Sequence, residues 1–242
     1  MAALPLSILL KIASFLFWSL LYLKCAVEAP DREPEWWSRV VTLLHSSIAS
    51  LGGVWQCGVT GLTKCSFTTP IGYRHHILML WSWGYFAFDL MWCLIYWPDH
   101  KLMLVHHMSA LGAVTWYMNK EYTGCTFSCT LALMEVTNPL LQMRWLLRSE
   151  GYGTTIMFYI LEVVYLVSFV GLRGVLGTYL IFKIMATDIF EMDAKIISIV
   201  FYIVSIALIS EIFSYVIYKY KNKLEEFQGV IFELGIILND QV

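Results

Sequence analysis

Apolar residues in this chain come in long runs rather than in short alternating or amphipathic stretches. Seven runs approach the roughly 20 residues that an α-helix needs to cross a ~30 Å hydrocarbon core. They are Leu4–Leu23, Val40–Val59, Ile77–Trp97, Leu102–Met118, Cys125–Leu147, Ile156–Phe182 and Ile196–Tyr218. The second carries Thr42, His45, Gly52, Gly53 and Gln56, and the fourth is short. Both read as helices inside a bundle, where small and polar side chains are tolerated. Pro139 interrupts the fifth run; it lacks a backbone donor, so it predicts a kink and a freed carbonyl. The links are short, with no repeat or low-complexity tract. The pattern predicts one domain, an all-α integral membrane protein of about seven transmembrane helices. The first run reads as a retained helix rather than a cleaved signal, because its flanking charge, Lys24, follows it instead of preceding it.

Composition sharpens this. Charged residues make up 14% of the chain, against about a quarter in soluble domains, and the deficit runs end to end. A net charge of −2 without a basic, aromatic-laced patch excludes nucleic acid as a partner. With seven spans, Lys24, Arg32, Arg39, Lys101, Arg144, Arg148, Lys219, Lys221 and Lys223 share one side, and Lys64, Arg74, Lys120, Lys183 and Lys195 the other. Nine against five puts the first side in the cytosol, with a lumenal N-terminus and a cytosolic C-terminus. The endoplasmic reticulum, another endomembrane or the plasma membrane would fit. Cys57, Cys65 and Cys125 then fall near lumenal loops. They read as free thiols near helix ends, with one disulfide among them as the alternative.

Ionisable groups inside spans cost roughly 2.5–3.5 kcal/mol each on insertion scales, which makes them functional suspects. Here they include His45, Asp89, His106, His107, Glu135, Glu162, Arg173 and Glu211. Counted at 1.5 Å per residue from the cytosolic ends, His45, Asp89, His106, His107, Glu162 and Glu211 lie about 6–13 Å deep. Glu135 falls near the midplane and Arg173 towards the lumen. A shared, partly hydrated cavity would produce such a layer. Helical spacing agrees: Ser38, Thr42, His45, Ala49, Gly52 and Gln56 form one stripe, Tyr85, Asp89, Trp92 and Tyr96 another, and Glu135, Asn138 and Gln142 a third. Each of these groups has a structural reading, in which it only ties helices together. The adjacent histidines point more strongly to chemistry, since imidazole exchanges protons near neutral pH.

The run from Gly84 to Leu90 (Gly-Tyr-Phe-Ala-Phe-Asp-Leu), then Leu102 to His107 (Leu-Met-Leu-Val-His-His), resembles the centre of a TLC (TRAM–LAG1–CLN8) domain. Glu135 to Trp145, with Asn138-Pro139 and Arg144, is similar to that domain's next motif, and Trp37-Ser38-Arg39-Val40 with His45 resembles its opening helix. The resemblance implies residues 1–35 as an N-terminal transmembrane helix and connecting loop, 36–220 as the TLC domain and 221–242 as a short cytosolic tail. It also implies a barrel of six helices around a lipid-sized cavity. In the family's ceramide synthases a histidine pair at the place of His106 and His107 moves an acyl group from coenzyme A to an amine. Those enzymes carry paired aspartates downstream, where this chain has Glu135-Val136-Thr137-Asn138-Pro139, so sphingoid-base N-acylation is not implied. The expected function is binding of, or action on, membrane lipids as the partner, with lipid acyl transfer as the chemistry. His106, His107 and Asp89 would be catalytic, Asp89 or Glu135 orienting an imidazole. His45, Arg39, Tyr85, Glu135, Asn138 and Arg144 would bind substrate. No metal or permanent cofactor is expected; acyl-CoA or a phospholipid would donate the acyl group. The alternatives are a non-catalytic regulator of membrane phospholipid composition and a cargo or assembly factor of the endoplasmic reticulum. A di-metal hydroxylase would need about eight histidines in spaced boxes, whereas this chain has six. A transporter would show inverted repeats.

Overall fold

A computed structural model of the chain describes residues 5–58, 65–66, 69–188 and 190–239, with side chains as far as Lys221. Leu4, Val59 and Lys64, which figure in the sequence reading, lie outside the described residues, as does the Lys223 side chain. Among the described residues every regular element is helical: α1 (Leu6–Glu28), α2 (Pro34–Gln56), α3 (Tyr73–Tyr96), α4 (Lys101–Tyr117), α5 (Gly124–Glu135), α6 (Asn138–Ser149), α7 (Ile156–Phe169), a π-helical segment (Val170–Leu176), α8 (Gly177–Ala186) and α9 (Met192–Asn239).

Among the described residues, four stretches are long and apolar enough to cross a membrane: Leu6–Glu28, Tyr73–Tyr96, Ile156–Ala186 and Met192–Lys221. The other three expected spans differ in instructive ways. Helix α2 has 23 residues but carries the polar stripe, α4 has 17, and the fifth run is split into α5 and α6 of 12 residues each. Helix α9 is continuous for 48 residues, so it passes Tyr218, where the sequence reading ends the last span.

Neighbouring helices pack in a closed order. Helix α2 lies against α3, α5 and α6, α3 against α4, α4 against α9, and the π-helical segment against both α7 and α9, while α6 returns to α7. Helix α1 packs outside on α3. There Trp18, fully buried, donates Nε1–H to the Trp81 carbonyl at 3.1 Å, and the Ser14 hydroxyl donates to Leu80 at 2.8 Å. The two backbones approach so closely that a Cβ on Gly84 would lie 2.5 Å from the Ser14 carbonyl carbon. Gly53 does the same for α2 on α5, where a Cβ would sit 2.9 Å from the Ser128 carbonyl oxygen. Small residues at such crossings let membrane helices gain packing energy without side-chain volume.

The expected kink at Pro139 is a full break. Helix α5 stops at Glu135 and α6 starts at Asn138 with Pro139 in its first turn, the position a proline tolerates. The Arg173 guanidinium donates to the Met134 carbonyl, one residue before α5 ends. At the opposite end of the bundle from the α2 N-terminus, Cys57 is bonded to Cys129 and Cys65 to Cys125. This corrects the reading of free thiols: the α2 terminus and the following loop are stapled to the first turns of α5. Cys129 was missed because it sits inside the fifth apolar run.

Candidate functional site

Near the α2 N-terminus the helices enclose a cavity of about 300 Å³. Ser38, Arg39 and Thr42 come from α2, Tyr85, Asp89, Trp92 and Cys93 from α3, and His106 and His107 from α4. Asn138 and Gln142 of α6, Tyr165 of α7, Arg173 of the π-helical segment and Glu211 of α9 complete the polar wall. Helical spacing makes this possible. Tyr85 and Asp89 are four apart and Asp89 and Cys93 four more, so all three share one face of α3.

The centre of the wall is a contact between an imidazole and a carboxyl group. His107 Nδ1 lies 3.1 Å from Asp89 Oδ2, both side chains being about nine-tenths buried. The ring is turned away from a linear hydrogen bond, leaving Nδ1 without a hydrogen-bond partner. The Tyr85 hydroxyl donates to Asp89 Oδ2 at 3.1 Å and also to Thr42 Oγ1 at 3.0 Å, while Thr42 donates to the Ser38 carbonyl. His106 stands beside His107 with ring centroids 5.2 Å apart and planes 64° apart, as expected for adjacent residues about 100° apart on a helix. At the cavity rim Arg39 is fixed by Glu35 Oε1 at 2.9 and 3.2 Å and by Gln142 Oε1 at 3.2 Å, and it lies over the Trp97 and Trp145 rings.

Behind this wall is a smaller, mostly apolar pocket of about 40 Å³. Phe86, Ala110, Ala113, Val114, Phe127, Leu131 and Phe201 supply its apolar surface, with Glu135, His106 and the Tyr117 phenol among its polar members. His106 thus lines both spaces.

The cavity gathers Asp89, His106, His107, Arg39, Tyr85 and Asn138 of the sequence-predicted set. Three expected residues are elsewhere. His45 is fully buried behind Tyr85, its ring stacked on the phenol at 3.7 Å and 7°, with Nδ1 3.7 Å from Glu135 Oε2. It shores up the wall and lines neither space. Glu135 accepts from Asn138 at 3.0 Å and faces the smaller pocket. Arg144 points away to Glu162, which it grips at 2.6 and 3.0 Å, and to the Tyr215 hydroxyl at 3.0 Å. Glu162, also placed in the cavity layer by depth, is buried in that separate cluster with Lys219.

Arg173 moves the other way. The depth count puts it towards the lumen, yet it is buried in the cavity wall, its guanidinium over Phe169 at 4.6 Å and 3.4 Å from Asn138 Oδ1. Helical side chains lean towards the N-terminus of their helix, here towards the cavity, and the π-helical segment shifts the register. The glycines at 171, 174 and 177 are the sequence signal that could have marked an irregular turn. Cys93 was also missed, since a cysteine in an apolar run looks like core.

The TLC domain profile, described by the names TRAM, LAG1 and CLN8, matches residues 35–221. The chain belongs to the TLC domain family. Together with its apolar helices this makes it a multi-pass membrane protein related to the lipid-associated TLC proteins. No solved structure matches the chain. The matched span starts one residue after Pro34, the first residue of α2, and ends at Lys221 in α9. Every residue of the cavity wall falls inside the TLC domain, and α1 falls outside it.

Proposed function

We propose that this TLC protein holds a membrane lipid with its headgroup in the polar cavity and the first methylenes of an acyl chain in the apolar pocket, and that it transfers an acyl group where the two meet. The observation that carries this reading is the position of His106 in the walls of both spaces. An amphiphile lying across the boundary would bring the carbonyl between its polar and apolar parts to that imidazole. In the transfer, His106 takes the proton from the acceptor's hydroxyl or amine as the new bond to the acyl carbon forms. The bond to the leaving thiolate or alkoxide then breaks, and the proton passes to that leaving group. Either acyl-CoA or a phospholipid supplies the acyl group. Asp89, held by Tyr85, stands 3.1 Å from His107 Nδ1 beside the reacting centre, and Arg39, Arg173 and Asn138 face the headgroup.

The six helices α2 to α9 of the TLC domain are read as the family's barrel, counting α5 with α6 and α7 with α8. Within the family the motifs around Asp89, His106 and Asn138 most resemble the TLC domain-containing protein 5 branch, also called transmembrane protein 136. Two independent signals support a cytosolic cavity mouth. Lys and Arg favour that side nine to five, and both disulfides sit at the other end of the bundle, as an oxidising lumen would require. The endoplasmic reticulum meets both conditions.

One observation favours a non-catalytic lipid regulator instead: among the described residues no side chain holds His106 Nδ1, whereas imidazole bases are usually oriented by a partner. The two readings separate on His106→Gln. Purified protein in nanodiscs would be given labelled acyl-CoA or labelled phospholipid, with bound lipid read by native mass spectrometry. For an acyltransferase, turnover should fall by about 10²–10⁴-fold while the lipid stays bound. Undiminished turnover in the variant would remove His106 from the chemistry.

A further inference from the structure

We propose that Asp89, Cys93 and His107 bind a single transition-metal dication, zinc by the chemistry of the donors, in the wall of the polar cavity. One ligand atom from each residue lies within 4.8 Å of the other two, and all three residues are buried. Asp89 and Cys93 are presented one turn apart on α3, and His107 faces them from α4. Bond lengths of about 2.0–2.3 Å to N, O and S give a tetrahedral site edges of roughly 3.3–3.7 Å. The Asp89–His107 edge is 3.1 Å, close to such an edge, and the thiol lies within 4.8 Å of both partners.

Three further features suit a metal centre. His107 Nδ1 is buried with no hydrogen-bond partner, although a carboxylate oxygen is close; a cation between the two would satisfy both. The Tyr85 hydroxyl already donates to Asp89 Oδ2, the kind of outer contact that orients a metal-bound carboxylate. Charge also balances, because one carboxylate, one thiolate and a neutral imidazole around a dication sum to zero, which removes the penalty of isolated buried charge. A thiolate and an imidazole favour zinc over magnesium or calcium, which prefer oxygen alone. Three protein donors leave a fourth position for water or a lipid oxygen on the cavity side, the pattern of sites that do chemistry rather than hold a fold.

This centre does not depend on acyl transfer, and His106 is outside its ligand set. Its test therefore uses no lipid substrate. The full chain would be purified in nanodiscs, its zinc measured by elemental mass spectrometry, and the metal-stripped protein titrated with Co²⁺ alone. About one ion per chain is expected, with a near-ultraviolet cobalt–thiolate charge-transfer band and tetrahedral visible bands. Cys93→Ser and Cys93→Ala should lose that band and Cys25→Ser, at the other free cysteine, should keep it. Tyr85→Phe should weaken binding about 10–100-fold through the lost orienting contact. Two Cys93 variants of unlike polarity guard against misfolding, since a normal melting temperature in either makes its spectrum decisive. Metal that stays bound in both Cys93 variants, a cobalt spectrum without the thiolate band, or a stoichiometry well below one would overturn the site. Intact metal binding in a chain that turns over no lipid would sink the acyl-transfer reading alone.

Discussion

Arg144 is expected to matter for stability and not for lipid binding, and Arg144→Ala tests this. Its partner Glu162 is 1% exposed at the side chain. Arg144 gives that carboxylate two bonds, at 2.6 and 3.0 Å, and Lys219 gives the other oxygen one at 2.5 Å. Removing one partner of a buried ion pair costs about 3–5 kcal/mol because the other charge is stranded. Here Lys219 remains, so the lower end, about 3 kcal/mol, is the reasonable figure. For a chain of this size each kcal/mol moves the melting temperature by about 2–4 °C, so a fall of about 6–12 °C is expected in detergent or nanodiscs. Glu162→Gln in the same background removes the same contact from its other side. The double variant should therefore be more stable than the sum of the singles predicts, by about 1 kcal/mol or more. Lipid bound per folded protein should stay at the wild-type level. An Arg144→Ala protein that melts normally but binds no lipid would put Arg144 back on the ligand and refute the argument.

Three further outcomes follow from other parts of the fold. Denatured, unreduced protein should take maleimide at two cysteines, Cys25 and Cys93, and at all six after reduction; six labels without reduction would deny the disulfides. Gly53→Leu should destabilise the α2–α5 crossing by about 1–3 kcal/mol, as overpacking does, whereas Gly112→Leu, where a Cβ meets nothing within 4 Å, should melt close to wild type. Arg32 and Trp36 donate to Glu150 at 2.7 and 3.0 Å, holding its carboxyl below the ordinary glutamate value of 4.5. A depressed folded pKa means that this tie is complete above the unfolded value and is lost as pH falls through the folded one. Between about pH 4.5 and the lowered value, wild type should therefore lose melting temperature more steeply than Glu150→Gln; equal slopes would show that the tie adds nothing.

How far the sequence could be read depends on whether a feature is local to one helix. Asp89 with Tyr85, and His106 with His107, were legible because spacing along one helix fixes which side chains share a face. So was the break at Pro139, which follows from one missing donor. Arg39 and Arg144 show where this kind of reading stops. Both are arginines near the same end of the bundle, on helices with equally plain patterns. One rims the cavity and the other grips Glu162 of α7. No spacing rule reports that choice of partner, because it is set by contacts between helices.

Arg173 carries the same lesson further. Depth counting assumes 1.5 Å per residue and places a side chain level with its own backbone, and both assumptions fail at this position. The π-helical segment adds a residue to the turn, and a long arginine leans back towards the start of its helix. Its guanidinium then reaches the Met134 carbonyl beside the α5–α6 break, 39 residues earlier in the chain. Two irregularities meet here: a carbonyl at the α5–α6 break accepts from a buried charge on α7's π-helical extension. The same guanidinium lines the chamber that holds Asp89 and the histidines. A cavity wall assembled from faults in two helices is invisible to a reading that treats each helix as regular. The regular parts of α3 and α4, where the histidines and Asp89 stand, were visible for the opposite reason.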